Sequence, residues 1–226
     1  MEGHTDWVFF VCFSPDCKRI ASGGKDKKIF IWDAVKGEQL GKTLCGHKDY
    51  ITSLSWEPFH KNAECRYLVS SSKDKSCKIW DTLNSVCVKT LNGHSDMVTK
   101  VIWGGENLIY SASRDTLIKC WNTKKWTLAR DMRGHGHWVN TLALSTDYVL
   151  RTGCFDHNQK DFATKEEMKE YALERYNKAK SEKGHERLVS GSDDYTLFLW
   201  EPFISKKPLA RMTGHQQLIN QVAFSP

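Results

Sequence analysis

No run of about 18 apolar residues occurs in this 226-residue chain, so nothing in it reads as a membrane-spanning helix. The first residues form no charged-then-apolar leader and run directly into a strand-like stretch, so no signal peptide is read there. The eight cysteines include no C-x-x-C pair, which excludes the usual spacing of a zinc or disulfide framework. Cys12 and Cys120 stand within apolar stretches, where a reduced thiol packs as a small hydrophobe. Gly184-His185-Glu186 begins like a zinc-protease motif but lacks the second histidine of H-E-x-x-H. A phosphate loop, a nucleophile–base pair and a long basic tail are missing too, so no enzyme, metal or cofactor is expected. What is present, 40% hydrophobic and 12% aromatic residues, is enough for the core of an intracellular globular protein.

One spacing recurs four times: Ser-x3-Asp-x5-Trp. It reads Ser22, Asp26, Trp32; Ser70, Asp74, Trp80; Ser111, Asp115, Trp121; and Ser190, Asp194, Trp200. A Gly-His pair precedes each copy, at His4, His47, His94 and His135, and a fifth pair ends at His215. The first three intervals between these histidines are 43, 47 and 41 residues, near the period of a β-propeller blade.

These residues resemble the WD-repeat family. Trp32-Asp33 and Trp80-Asp81 match its signature, whereas Trp121-Asn122 and Trp200-Glu201 depart from it. The resemblance implies a hydrogen-bonded tetrad in each repeat, with Trp donating to Ser, Ser to His and His to the turn Asp. Such a chain pairs polar groups that are costly to bury alone. His4, His47, His94 and His135 are therefore read as structural, because a general acid–base pair has no reason to recur in every repeat.

The fold class expected is all-β: a partial propeller of four blades, about 3–45, 46–92, 93–133 and 134–213, plus the first strand of a fifth over 214–226. In the first blade strands are expected at 7–13, apolar throughout and covered on both faces, then 19–23, 28–32 and a polar rim strand near 38–44. Inner strands follow at 50–56 and 97–103. A lone fifth inner strand cannot close a ring, so the chain reads as about half of a seven- or eight-bladed propeller.

The fourth repeat breaks the rhythm. His-to-Ser distances are 18, 23 and 17 residues, then 55, which places an insertion at 148–186 between the first two strands of that blade. Thr164 and Glu167 suggest a capping box for a helix over 164–183, with Met168, Tyr171, Ala172, Tyr176 and Ala179 on one face. Two readings stay open: the apolar stripe packs on its own blade, or it docks a partner.

More specific stretches narrow the family. They include Trp138-Val139-Asn140-Thr141, Ala172-Leu173-Glu174-Arg175-Tyr176-Asn177, Arg187-Leu188-Val189-Ser190-Gly191-Ser192 and Ser55-Trp56-Glu57-Pro58. Together they resemble the Notchless family of WD-repeat ribosome assembly proteins. The resemblance implies a non-enzymatic factor of the nucleolus and nucleus. Its propeller would seat on precursors of the large ribosomal subunit, with protein and ribosomal RNA as contacts. A ubiquitin-like domain, which nothing here matches, would engage the Midasin ATPase, and a link to Notch is implied as well. The alternative is a general interaction scaffold, such as a Notch-pathway adaptor or a ubiquitin-ligase substrate receptor.

The chain carries a formal +6, while residues 147–186 hold 8 basic and 9 acidic side chains, leaving +7 on the propeller portion. A basic surface favours anionic partners. The expected binding face is the one bearing the Asp turns. The third residue after each His is Trp7, Tyr50, Met97 or Trp138, and the residue before each turn Asp is Lys25, Lys73, Arg114 or Asp193. Together with Lys48 these residues should ring the channel mouth, able to stack and to neutralise.

Overall fold

In the computed structural model, which describes residues 2–157, 160–180 and 184–225, four antiparallel four-stranded sheets follow one another along the chain. The first holds β1 (Val8–Phe13), β2 (Arg19–Gly24), β3 (Lys28–Asp33) and β4 (Leu44–Cys45). The second holds β5 (Ile51–Trp56), β6 (Tyr67–Ser72), β7 (Ser76–Asp81) and β8 (Val86–Asn92). The third is made of β9 (Val98–Trp103), β10 (Leu108–Ser113), β11 (Ile118–Asn122) and β12 (Thr127–Met132). The fourth has β13 (Val139–Leu144), β14 (Leu188–Ser192), β15 (Leu197–Trp200) and β16 (Ala210–Met212). Between β13 and β14 lie helices α1 (Asp147–Thr152) and α2 (Lys165–Ala179).

First strands pack against first strands in turn, β1 on β5, β5 on β9 and β9 on β13, so the sheets form blades of one arc. A strand between two neighbouring blades loses inside–outside alternation, and β10 is buried at every position. β1 differs from the double coverage its sequence suggests: Val8, Phe9, Val11 and Phe13 are exposed, because no blade of this chain precedes it. The rim strand expected near 38–44 shrinks to Leu44–Cys45 and a single bridge at Gln39. Gly37 and Gly41, both with positive φ, bend the intervening chain away from the ladder.

A β-bulge sits at the same place in each first hairpin, with register shifts at Val8/Phe10, Ile51/Ser53, Ala112/Ser113 and Val139/Thr141. Bulges re-aim side chains, and here the shifts surround Phe9, Thr52, Thr99 and Asn140. Thr52 donates to the Val98 carbonyl (2.6 Å), Thr99 to Val139 (2.5 Å) and Asn140 to Ile219 (3.0 Å). Each link ties a blade to the next first strand. Ile219, four residues after His215, therefore takes the place that Val98 and Val139 hold in their repeats. Residues 213–225 enter no ladder, since the second strand of a fifth blade is not in this chain.

The insertion leaves from the end of the blades opposite the Asp turns. Thr164 caps α2 by accepting the Glu167 N–H, and Glu167 accepts the N–H of Ala163, one residue before the capping-box position. The helix ends at Ala179, short of the expected 183; residues 181–183 lie outside the described residues. Its apolar stripe packs inward, on its own blade and on the blades before it. Ala172 joins a cluster with Trp56, Phe59 and Cys65 of the second blade, and Tyr176 joins the core of the third and fourth.

Tyr176 is 2% exposed and stacks on His60 at 4.3 Å. Gly105 admits it, since a Cβ there would stand 2.3 Å from the tyrosine ring. Gly153, at φ +57, lets the chain pass close to the first blade, where a Cβ would stand 2.9 Å from the Pro15 carbonyl. Buried Glu186 fastens the return, accepting from the Gly105 N–H and the Thr146 hydroxyl, both at 2.8 Å. Burial pushes its carboxyl up from the ordinary range. The insertion is thus a strap across the connectors of the first three blades. No helix among the described residues is long and apolar enough to cross a membrane.

Tyr176→Ala is expected to lower stability by about 3–5 kcal/mol, the range for emptying a large aromatic from a core. Urea unfolding showing a loss under about 0.5 kcal/mol, as for a surface residue, would contradict the strap.

Candidate functional site

All four tetrads form. Trp32 Nε1 donates to Ser22 Oγ (2.7 Å), Ser22 lies 2.8 Å from His4 Nε2, and His4 Nδ1 lies 2.8 Å from Asp26. The same links measure 2.8, 2.7 and 2.8 Å in the second repeat. They measure 2.9, 2.8 and 2.7 Å through Trp121, Ser111, His94 and Asp115. Through Trp200, Ser190, His135 and Asp194 they are 2.9, 2.7 and 2.9 Å. The second Asp oxygen accepts the N–H two residues on, from Lys28, Ser76, Leu117 and Thr196. The residue between takes a left-handed φ in every repeat, at Lys27, Lys75, Thr116 and Tyr195, which closes each three-residue hairpin.

Both ring nitrogens of each histidine are engaged, so none is free to take a proton from a substrate. Burial holds the imidazoles of His47 and His135 below their ordinary pKa, with the Asp74 and Asp194 hydrogen bonds opposing. For Asp194 burial acts upward, but hydrogen bonds from Thr196, the Gly136 N–H and His135 outweigh it and bring the carboxyl down to about 2. Asp74 is depressed by the same balance. No cluster of three His, Cys, Asp or Glu side chains among the described residues could hold a metal ion. All eight cysteines are free thiols, and burial pushes Cys12, Cys65 and Cys120 up to about 12.

The departures from Trp-Asp are explained locally. Asn122 accepts the N–H groups of Lys124 and Lys125 as Asp33 accepts those of Val35 and Lys36. Glu201 is too long for that turn and pairs with Arg187 at 3.2 Å instead.

Because the tetrads fix the turns, the side chains beside them are set in register. Lys25 Nζ lies 4.8 Å over the Trp7 ring, Lys73 Nζ 5.1 Å over Tyr50, and the Arg114 guanidinium 4.1 Å over Trp138. The third pair crosses blades, since Met97 stands where the ring would be and itself lies 3.5 Å from the Tyr50 hydroxyl. Trp7 is 69% exposed and Trp138 37%. Lys48 is exposed, and its backbone N–H donates to Asp74.

Sequence reasoning missed three features of this face. Lys25 pairs with Asp6 at 3.5 Å and Lys73 with Asp49 at 3.9 Å, so each cation is shared between a ring and a carboxylate. In the fourth repeat the pair is reversed, with His137 facing Asp193 at 3.5 Å. A repeat column two residues after each His (Asp6, Asp49, Asp96, His137) carried that signal. Phe9 is the third, set edge-on to Tyr50 at 5.4 Å and to Trp7 at 6.4 Å, making one aromatic seam across two blades. Arg114 keeps no carboxylate within ion-pair distance among the described residues, and its Nε is buried without a hydrogen-bond partner.

A family profile for the WD domain, G-beta repeat, matches residues 1–33, 38–81 and 85–122. The fourth blade, split by the strap, lies beyond these matches yet keeps its tetrad. Protein Notchless of Drosophila melanogaster is 47% identical over 274 aligned residues, covering 100% of this chain and 56% of that protein. Ribosome assembly protein 4 of Saccharomyces cerevisiae is 49% identical over 231, covering 100% of this chain and 45% of its own length. A Notchless protein homolog of Arabidopsis thaliana is 53% identical over 268, with coverage of 100% and 56%. The chain spans about half the length of these relatives. The crystal structure of the RRP9 WD40 repeats superposes with a TM-score of 0.68 at 24% identity, over 94% of this chain and 51% of that one, a likeness of fold.

Asp74→Ala is expected to cost about 1–3 kcal/mol by leaving the His47 donor unpaired. Because Asp74 opposes the burial effect on His47, its removal should lower the imidazole midpoint further. Proton NMR titration reads this directly, and a His47 midpoint that rises in the variant would contradict the tetrad.

Proposed function

The chain belongs to the WD-repeat family, and we propose that it supplies the propeller surface on which a ribosome assembly factor seats on a precursor of the large ribosomal subunit. The reading rests on one conjunction. A chain 49% identical to a protein named for ribosome assembly presents a seam of Trp7, Phe9 and Tyr50 backed by Lys25 and Lys73, and a separate Trp138 under Arg114. Rings with cations stacked on them suit a mixed protein–RNA surface, where apolar anchors and charge act together. The role is binding, since the tetrads engage His4, His47, His94 and His135 through both ring nitrogens. Contact with Midasin is assigned to the ubiquitin-like domain that the Notchless resemblance implies, and residence in the nucleolus and nucleus follows from the same reading.

A general interaction scaffold, including a Notch-pathway adaptor, is the competing reading; it predicts no preference for large-subunit precursors. Lys25→Glu, Lys73→Glu and Arg114→Glu combined in the full-length protein should cut co-sedimentation with those precursors at least about tenfold, the size of one lost hot spot. The melting temperature should hold in the Lys25→Glu, Lys73→Glu double variant, because both lysines are exposed, and that variant separates lost binding from any stability cost at the half-buried Arg114. Undiminished co-sedimentation would move the seat elsewhere on the arc.

A further inference from the structure

A second charged surface lies along the outer strands of the third and fourth blades. An open cleft between the third and fourth blades is lined by Ala129, Arg130, Asp131, Arg133, Lys206 and Lys207. Arg130 and Asp131 belong to β12, and the two lysines to the segment joining β15 to β16. Arg130 Nη1 donates to the Pro202 carbonyl at 2.7 Å and pins that segment to the neighbouring blade. The N–H of Lys207 donates to Ser205 Oγ at 3.0 Å, which shapes the turn carrying the lysine pair. Arg133, Lys206 and Lys207 are exposed.

The charge in the cleft is one-sided. Four basic side chains face a single carboxylate, and Asp131 is already held by the nearly buried Lys119 at 2.7 Å. The three exposed cations make no ion pair among the described residues, unlike Lys25 and Lys73 on the Asp-turn face. Their charge is left to an outside partner.

From this we infer that the cleft is a seat for the phosphate backbone of double-stranded RNA. The inference rests on the assembly reading above, and it names a component of the particle and the surface that holds it. A protein partner needs an apolar centre, and interface cores are depleted in lysine. The only uncharged side chain lining this cleft is Ala129. Single-stranded RNA is bound by stacking its bases on aromatic rings, and no ring lines the cleft. Clustered cations without apolar or aromatic anchors match backbone phosphates, which position a duplex without reading its sequence. The arc then has two binding surfaces of different chemistry, an aromatic seam at the channel mouth and a phosphate seat at the rim.

The test is fluorescence anisotropy of the full-length protein with an RNA duplex of about 20 base pairs and arbitrary sequence, from about 50 to 200 mM salt. The variant combines Arg133→Glu, Lys206→Glu and Lys207→Glu and spares Arg130, which holds the blades together. Affinity at the lowest salt should fall at least about tenfold, and the logarithmic salt slope should lessen by about 2 to 3, near one unit for each phosphate no longer neutralised. Lys206→Gln with Lys207→Gln should give a smaller loss in the same direction, and an equal charge change at exposed Lys36, Lys42 and Lys89 of the first two blades should leave duplex affinity within about twofold. Unchanged affinity and slope in both rim variants would overturn the inference. So would tighter binding of a single strand of equal length, or displacement of the duplex by polyglutamate at equal charge concentration. If the rim variants bind duplex RNA normally while the parent still sediments with precursor particles, only the rim seat fails. A parent that does not sediment with them defeats the assembly reading itself.

Discussion

A serine hydroxyl buried on the second strand of each blade is the point on which the structure turns. Ser22, Ser70, Ser111 and Ser190 each accept from a tryptophan indole and reach a histidine, within a layer that water does not enter. A lone hydroxyl there would be destabilising, and the histidine and aspartate beyond it would be worse. Linked in series they satisfy one another, and the series ends on the backbone N–H groups of two separate turns. Each tetrad therefore locks the loop entering its blade to the hairpin between its middle strands.

That lock sets the stage for binding. With the hairpin fixed, the residues beside the turn Asp and after the Gly-His pair face each other in every repeat. Their identities can change at little cost to the fold. The column holds Asp6 with Lys25 and Asp49 with Lys73, then breaks at Arg114, then reverses at His137 with Asp193. A surface of this kind varies charge and ring from blade to blade on a constant frame, which is how one fold serves many partners.

What was legible in the sequence was whatever the repeat forced to recur. The tetrad spacing, the β architecture and the helical stripe of α2 all show periodicity, so residues alone suffice to read them. The destination of the strap carries no such signal. Gly105 has meaning only beside Tyr176, and Gly153 only beside Pro15, and both pairings join positions far apart in the chain. The short helix Asp147–Thr152 was missed for a related reason, since one and a half turns give no period to detect. The exposed face of β1 reflects context: Val8–Phe13 is an interior strand by composition, and it lacks a neighbouring blade within this chain. The rim cations were counted only in the net charge. Arg130 and Arg133 stand about 75 residues from Lys206 and Lys207 in sequence, and packing of adjacent blades alone brings them together.

The proposed contact with a ribosomal precursor lies on the Asp-turn face, which the four tetrads hold. Amide hydrogen exchange of the full-length protein, free and bound to purified precursor particles, addresses it most directly. The account predicts added protection on binding in the segments 5–9, 48–51, 95–98 and 136–139, with the strap residues 165–179 unchanged. Protection confined to the strap, with those four segments exchanging as in the free protein, would contradict it.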